Sequence, residues 1–466
     1  MTTRIEHDLL GDMALPADTW YGVQTQRAVD NFALTGVPIS HFPHFIQALA
    51  MVKAAAARAN RDLGLLAPHK AAAIIAACEE IIDGRLHAAF VVDLIQGGAG
   101  TSTNMNANEV IANLALEQLG HPKGAYEHLH PNDDVNKSQS TNDAYPTAVC
   151  VGLQLAIEPL IASIASLKAA LEAKGREFAD VLKMGRTQLQ DAVPMTLGQE
   201  FEAFAVNLGE DIDRLNDVCR LLCEVNLGGT AIGTGINTHP DYAALAVRYL
   251  AEISGKPIVP AANLVEATSD MGAFVLFSGV LKRLAVKLSK IANDLRLLSS
   301  GPRTGLGEIH LPPMQPGSSI MPGKVNPVIP EAVNQVAYQV IGNDLAVTMA
   351  AEAGQLQLNA MEPLIVYNLL NSLKMLGAAC DMFETRCIRG IRADRAQCQA
   401  HVDRSIGVIT ALVPHIGYAN ASRIAAQALN SGATVRELVI GEGLLSAAQL
   451  DLLLSPQTML APQRAA

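Results

Sequence analysis

Apolar residues recur every three or four positions over unusually long stretches of this chain. The longest such stretches run from about 145 to 175, 196 to 225, 265 to 298 and 330 to 386. Breaks fall at Gly185, at 228–240, at 301–316 and at Gly354. This spacing is typical of amphipathic helices. Helices of roughly 25 to 35 residues exceed the ordinary globular range, so we expect them to bundle side by side along their whole length.

The pattern changes towards both ends of the chain. Shorter helical periodicities cover 44–64, 68–83 and about 106–120, and short helices return from about 396. The alternation that is typical of strands is nearly absent. We therefore predict a mainly α protein with three domains. These are an N-terminal domain over 1–141, a central bundle of long helices over 142–395 and a small helical domain over 396–466.

Composition supports long, closely packed helices. Half of the 466 residues are apolar, yet only 4% are aromatic, and alanine and leucine abound. Small side chains allow helices to approach each other closely, and a chain of this length can bury a large core. The formal charge is 34 − 45 = −11, which argues against nucleic acid or an anionic membrane as a partner. An acidic substrate would need a locally positive pocket, and Lys324 and Arg186 are the obvious sources.

Cysteine usage and the chain start indicate a cytoplasmic protein. The seven cysteines show no CxxC spacing, and Cys219 and Cys223 lie one helical turn apart, as on a core face. The N-terminus is charged, and charges interrupt the long hydrophobic stretches before they reach about 18 residues. We expect no membrane segment. The His128 and His130 spacing matches no zinc pattern, and the glycines of 97–100 lack the dinucleotide fingerprint.

Residues 317–327 hold the strongest chemical signal. Two adjacent serines, Ser318 and Ser319, are followed by Lys324 and Asn326. Glycine and proline occur throughout, which predicts a loop because prolines at this density abolish regular hydrogen bonding. A loop with these side chains can close over a small anion and present a base. Taken as a generic string, it is more often a polar surface loop.

The full string resembles the loop shared by the fumarase/aspartase superfamily, whose members split a C–N or C–O bond beside a carboxylate and release fumarate. Residues 96–102, 136–143 and 185–191 look like the other active-site blocks of this family, in the same order. The resemblance covers nearly the whole chain. It implies that the central bundles of four subunits form one helical core. It also implies active sites shared between three subunits of a homotetramer, a small dicarboxylate substrate and no required cofactor. Activation by a divalent cation such as Mg²⁺ is compatible with it.

The resemblance also implies roles for single residues. Ser318 is the expected general base, and Asn142 resembles a contact to a leaving amino group. The expected donors to the aci-carboxylate intermediate are Thr101, Ser140, Thr141 and Ser319. Lys324 and Asn326 are expected to hold the other carboxylate, and Thr187 and Gln188 to contact the substrate. For residues 140–142 alone, an N-cap before a long helix is an equally good interpretation, and the two are compatible because helix N-termini favour anions.

Position 188 separates the activities within the superfamily. Fumarase-like members usually carry histidine there, paired with a glutamate at the place of Glu331, whereas this chain has Gln188. Blocks 189–196, 328–331 and 355–363 also resemble aspartases. We therefore predict reversible elimination of ammonia from L-aspartate. The alternatives are a fumarate hydratase and a non-catalytic structural homo-oligomer. His130 lies in a segment that resembles the second dicarboxylate site of fumarases, which is a weak hint of a regulatory anion site.

Overall fold

The computed structural model describes residues 2–317 and 319–460, and these residues are mainly helical, as predicted. The helices are α1 (Val23–Asn31), α2 (Pro43–Asp62), α3 (Pro68–Ile82), α4 (Thr101–Gln118), α5 (Thr141–Glu177), α6 (Leu197–Cys219), α7 (Tyr242–Ser254), α8 (Gly272–Leu298), α9 (Val328–Glu352), α10 (Glu362–Arg386), α11 (Arg395–Arg404), α12 (Val413–Ile416), α13 (Tyr418–Ser431), α14 (Val435–Gly441), α15 (Ala447–Leu453) and α16 (Pro456–Met459). The strands are β1 (Thr3–Asp8), β2 (Gly11–Pro16), β3 (Leu182–Thr187), β4 (Gln190–Thr196), β5 (Glu224–Val225), β6 (Val259–Pro260), β7 (Ile309–His310) and β8 (Arg392–Ala393).

Most predicted helices are present, with shifted ends. Helices α2, α3 and α5 lie within a few residues of their predicted ranges, and the 330–386 stretch forms α9 and α10. Helix α4 begins at Thr101, five residues before the predicted start, and α7 was not predicted. The apolar period did not mark the start of α4, because this helix is buried on most sides. Fourteen of its eighteen residues are buried, including several asparagines, so its pattern is not that of an amphipathic surface helix.

The strands form four two-stranded sheets, which the sequence pattern did not reveal. Strands β1–β2, β3–β4 and β7–β8 pair antiparallel, and β5–β6 pair parallel. The β3–β4 hairpin carries a register shift between Met184 and Arg186. The first three residues of β3 are all buried, so its sequence lacks the alternation by which a half-buried strand is recognised.

Long helices pack against one another in antiparallel pairs. Gly198 of α6 meets Gly175 of α5, where a Cβ on Gly198 would lie 2.5 Å from the Gly175 carbonyl oxygen. Between α8 and α9, Ser278 donates to Asp344 at 2.8 Å, and Asn334 donates to the Ser289 hydroxyl at 2.8 Å. In these two contacts the residue number rises along α8 and falls along α9, so the two helices run antiparallel. Small residues and buried polar contacts fix how far one helix is shifted along the other, as the alanine-rich composition suggested.

The chain divides into two compact units. The first comprises Met1–Ala162, Asp211–Ala285 and Ala337–Gly377, and the second comprises Ser163–Glu210, Val286–Val336 and Ala378–Ala466. The long helices contribute residues to both. The three-domain division at 141 and 395 stays a prediction. In the second unit, the short helices beyond residue 396 were expected, and their apolar cluster includes Leu182 and Met184 of β3.

One helix among the residues that the structure describes, α5, is long and apolar enough to cross a membrane. Over half of its most apolar window is buried inside the protein. Glu158 lies in its middle, and Leu153, Leu160 and Leu167 are core residues with at most 1% exposure. A core helix of a globular fold meets the same length and composition criteria.

Candidate active site

The first turn of α5 carries three predicted site residues. Ser140 is the residue before the helix, and its hydroxyl accepts a hydrogen bond from the Asn142 N–H at 3.2 Å. The Ser140 N–H donates to the Asp143 carboxylate at 2.9 Å. The Ser140 hydroxyl therefore caps the second N–H of the helix, so the N-cap interpretation is correct. Thr141 and Asn142 are half-buried in the same turn. The structure therefore places these polar side chains where the helix dipole favours an anion.

The start of α4 lies beside the start of α5. Gly100 precedes Thr101 and has φ +92°, and a Cβ there would lie 2.6 Å from the Tyr145 ring of α5. One turn into α4, Asn104 donates from Nδ2 to the Thr141 hydroxyl at 3.2 Å. The exposed Thr101 hydroxyl donates to the Gly98 carbonyl at 2.7 Å. Two helix N-termini and four predicted site residues are thus brought together within the first unit.

Sequence reasoning missed Lys53, which lies beneath this pair of helix starts. Its ammonium is fully buried and donates to the side-chain oxygens of Asn104 at 2.6 Å, Asn136 at 2.9 Å and Gln139 at 2.9 Å. Burial lowers the pKa of Lys53 to about 7, and the charge of Asp143 opposes that shift. Because lysine can only donate, the Asn104 oxygen faces Lys53 and its Nδ2 faces Thr141. A lone lysine in the apolar run 48–57 was the available signal.

The β3–β4 hairpin carries Thr187 and Gln188 at its exposed tip. Gln188 and Leu189 have φ +54° and +61°, as a two-residue hairpin turn with matching twist requires. Neither residue is a glycine. Positive φ in such residues costs energy and is found where the surroundings determine the conformation.

A buried carboxylate anchors this hairpin. Glu308 is 0% exposed, and it contacts Arg186 at 2.7 Å, Lys183 at 3.1 Å and His401 at 2.9 Å. Burial alone would raise the pKa of Glu308, but the hydrogen bond from Arg186 and the charge of Lys183 outweigh it and leave the pKa below its ordinary value. Arg186 was expected as a local source of positive charge, and the structure shows that charge paired with a buried carboxylate. Its guanidinium pairs with Glu308 and holds the strand that leads to Thr187.

The remaining predicted residues lie on the 317–327 loop. The described residues of this segment are irregular, which confirms the loop. Ser319 and Lys324 are exposed, and Asn326 is half-buried. A Cβ on Gly317 would overlap the Lys324 carbonyl oxygen, so the backbones of these two residues are in close contact. Ser318, the predicted base, lies outside the described residues.

The predicted set is divided between the two compact units. Thr101 and residues 140–142 lie together in the first unit, whereas the hairpin tip and the loop belong to the second unit. Among the described residues, no hydrogen bond joins Thr187 or Gln188 to Ser319, Lys324 or Asn326.

A cavity of about 630 Å³ opens in the first unit, with Arg27, Tyr126 and His130 in its wall. The His130 Nδ1 accepts backbone N–H groups at 3.1 and 3.2 Å and so caps the π-helical turn Pro131–Val135. Arg27 is paired with Asp8 at 2.8 Å. A second anion site here stays a hypothesis. The part of the chain that the structure describes holds no group of three His, Cys, Asp or Glu side chains that could bind a metal ion.

Comparison with known proteins gives consistent matches. Residues 11–342 match the family described as lyase, and residues 408–461 match the fumarase C C-terminus. An aspartate ammonia-lyase of Pseudomonas fluorescens is 67% identical over 461 residues, which cover 99% of this chain and 96% of that protein.

Two solved structures share the fold. A cobalt-bound fumarate lyase/delta crystallin from Brucella melitensis is 62% identical, with a TM-score of 0.96 over 99% of this chain and 100% of that one. A class II fumarase from Schistosoma mansoni is 35% identical, with a TM-score of 0.92 over 99% of this chain and 100% of that one. Relatives named aspartate ammonia-lyase thus match at much higher identity than the fumarase does. The chain therefore belongs to the aspartate ammonia-lyase family, a carbon–nitrogen lyase family of the fumarase/aspartase superfamily.

Proposed function

We propose that this chain catalyses the reversible anti elimination of ammonia from L-aspartate to give fumarate, through an aci-carboxylate intermediate. The observation that carries the proposal is the pair of helix starts that presents Thr101, Ser140, Thr141 and Asn142 side by side. Small hydroxyl and amide groups at helix N-termini suit a carboxylate that gains a second negative charge. The Asp143 carboxylate is turned away from this surface, onto backbone N–H groups.

The proposed reaction begins at a weak acid, the Cβ–H beside the substrate carboxylate. A base takes this proton, and the electron pair moves into the carboxylate to form the aci-carboxylate. The C–N bond then breaks, its electrons leave with nitrogen as ammonia, and the Cα–Cβ double bond of fumarate forms. Hydrogen-bond donors that bind the doubly charged intermediate more tightly than the substrate raise the rate of the chemical step. Donors that bind both equally well raise only the affinity for the substrate. The family motif assigns the base to Ser318, which needs surrounding N–H groups and the Lys324 ammonium to become basic.

The other predicted residues complete the substrate site. Lys324 supplies a point charge, and Asn326 adds a directional amide, for the second carboxylate. Ser319, Thr187 and Gln188 provide further hydrogen bonds. Gln188 favours ammonia over water as the leaving group because an ammonium departs as a neutral molecule. Hydroxide requires a proton, since bulk water has a pKa of about 15.7.

We also propose a homotetramer in which three subunits share each active site. Apolar side chains beside the predicted site residues are exposed in the single chain, including Leu189 at 70% and Ile320 at 82%. On α9, Tyr338, Leu345 and Met349 form an exposed apolar stripe at helical spacing. Contact with further copies of the chain would cover both sets. We further propose a cytoplasmic enzyme that requires no cofactor, with a divalent cation such as Mg²⁺ acting at most as an activator.

The deciding experiment offers L-aspartate, 3-methylaspartate, L-malate and argininosuccinate separately and follows fumarate or its methyl derivative by absorbance. We expect turnover of L-aspartate and none of L-malate. Fumarate formation from L-malate but not from L-aspartate would contradict the proposal and favour a fumarate hydratase. Absence of turnover with all four would favour a structural protein.

The base is tested with two neighbouring variants. Ser318→Ala should lower kcat by at least about a thousandfold, because it removes the only proton acceptor proposed for Cβ. Ser319→Ala is the matched comparison. It removes one of several donors to the intermediate and leaves the proposed base, so kcat should fall much less than in Ser318→Ala. Circular dichroism and the oligomer size should be unchanged in both. A near-normal kcat in Ser318→Ala would remove Ser318 from the role of base.

A further inference from the structure

Asp143 is a buried carboxylate directly behind the proposed contact to the amine. It is 0% exposed. One of its oxygens accepts from the Ser140 N–H at 2.9 Å. The other accepts from the N–H groups of Gly228 at 3.0 Å and Thr230 at 2.9 Å. A single side chain thus joins the start of α5 to the 228–231 turn, which lies more than eighty residues further along the chain.

The 228–231 turn has a backbone that needs outside support. Thr230 has φ +55°, which is rare and costly for a β-branched residue. Gly228 has φ +94°, and a Cβ there would overlap Ala243. The hydrogen bonds to Asp143 tie the N–H groups of both residues to one acceptor. Burial raises the pKa of Asp143 to about 6, against these backbone hydrogen bonds and the charge of Lys53.

The next carbonyl of this turn orients the Asn142 side chain. Asn142 donates from Nδ2 to the Ala231 carbonyl at 2.8 Å. A carbonyl can only accept, so the amide nitrogen must face Ala231 and Oδ1 must face away from it. Asn226 also holds the Asn142 main-chain carbonyl at 2.9 Å. An oxygen acceptor is complementary to the N–H groups of an ammonium, whereas a flipped amide would present N–H groups to N–H groups.

We infer that Asp143 is a positioning residue that, through the 228–231 turn, holds the Asn142 amide oxygen towards the leaving amine. Asp143 itself does not touch the substrate. The inference rests on the proposed ammonia-lyase function. It explains why a buried carboxylate lies directly behind helix starts that are proposed to bind an anion. The Asp143 carboxylate accepts hydrogen bonds from backbone N–H groups of the turn, and the turn orients the neutral Asn142 amide.

The kinetic test uses Asp143→Asn in the direction that adds ammonia to fumarate. An amide is neutral and has one oxygen, so the contacts to the turn are weakened even if that oxygen keeps them, and the amide nitrogen then opposes the Ser140 N–H. We expect the KM for ammonia to rise about tenfold, while the KM for fumarate stays within about twofold. A structural role alone would lower the amount of active enzyme and move neither KM. An unchanged KM for ammonia, or an equal rise in both KM values, would overturn the inference.

Two further variants sharpen this test. Asp134→Asn is the matched control, because Asp134 also accepts a backbone N–H, that of His130, but has no link to Asn142. It should keep both KM values. Asn142→Ala and the double variant Asn142→Ala/Asp143→Asn should share one KM for ammonia, since Asp143 acts through Asn142. Additive losses would contradict that dependence.

A crystal structure of Asp143→Asn separates this inference from the proposed function. If the parent protein forms no fumarate from L-aspartate, the ammonia-lyase proposal fails, and the geometry can still be examined. We expect Thr230 to leave the left-handed region, or the Asn142 Nδ2 to Ala231 oxygen distance to exceed hydrogen-bonding range. An Asn142 side chain that keeps its contact and orientation would overturn the positioning role.

Discussion

Two buried charged side chains show how single residues organise the candidate site. Lys53 gathers three amide oxygens and thereby sets the direction of the Asn104 hydrogen bond to Thr141. Glu308 gathers two cations and an imidazole beneath the hairpin that carries Thr187. Neither residue belongs to a motif string, because each acts through contacts with residues distant in sequence. Each of them orients groups that we propose to contact the substrate.

Glu308→Gln tests the anchor of the hairpin. Removing the carboxylate leaves Lys183 and Arg186, with side chains 3% and 14% exposed, without this counter-charge. We expect the free energy of unfolding at neutral pH to fall by about 3 kcal/mol, as for other broken buried pairs. Urea denaturation measures it. The exposed pair of Arg248 and Glu252 provides the control, because Glu252→Gln should cost only about 0–1 kcal/mol. An equally small loss for Glu308→Gln would contradict the anchoring role.

The same variant has a predictable pH dependence. The pKa of Glu308 lies below the ordinary 4.5 in the folded state, because Arg186 and Lys183 outweigh burial. The folded state therefore binds fewer protons at this site than the unfolded state as the pH falls below that value. Its stabilising contribution is present above pH 4.5 and is lost as the pH falls through the folded pKa. The stability difference between parent and Glu308→Gln should shrink in that acidic range.

At the scale of elements, the close approach of α5 and α6 depends on two glycines. Gly198→Ala would place a Cβ 2.5 Å from the Gly175 oxygen and 2.7 Å from the Ala179 Cα. Backbone atoms cannot yield locally, so the helices must move apart, and we expect a loss of about 1–3 kcal/mol in thermal or urea unfolding. The control is Gly441→Ala, where a Cβ meets nothing within 4 Å, which should stabilise by about 0.5–1 kcal/mol. A neutral Gly198→Ala would contradict the close crossing.

Among the elements that the sequence pattern missed, the β3–β4 hairpin matters most for the candidate site, because it carries Thr187 and Gln188. Long helices were recognised because their apolar period repeats over many turns. Strand β3 is buried at three successive positions and then turns through Gln188 and Leu189, neither of which is a usual turn residue at positive φ. No local signal marks such a hairpin. Packing on the apolar cluster that contains Leu182 and Met184, together with the Glu308 anchor, holds it in place.

At the scale of the whole molecule, the exposed stripe on α9 tests the proposed assembly. Leu345 is 62% exposed in the single chain, and a second copy would cover it in a tetramer. Leu345→Asp should place a charge in that interface, so sedimentation should show smaller species, and activity should fall with them. Leu452→Asp is the control, since Leu452 is 67% exposed on the short helix α15. A fully active, dissociated Leu345→Asp enzyme would contradict sites shared between subunits.

The sequence by itself determined the helical class, the positions of the long helices, the 317–327 loop and the motif residues, because periodicity, glycine and proline content and short strings act locally. Only the tertiary structure decided which distant residues contact each other. It placed Lys53 under Asn104, paired Arg186 with Glu308, and joined Asp143 to the 228–231 turn. These contacts link residues from dozens to more than a hundred positions apart. Their energies arise from burial and hydrogen-bond geometry, which exist only once the helices have packed.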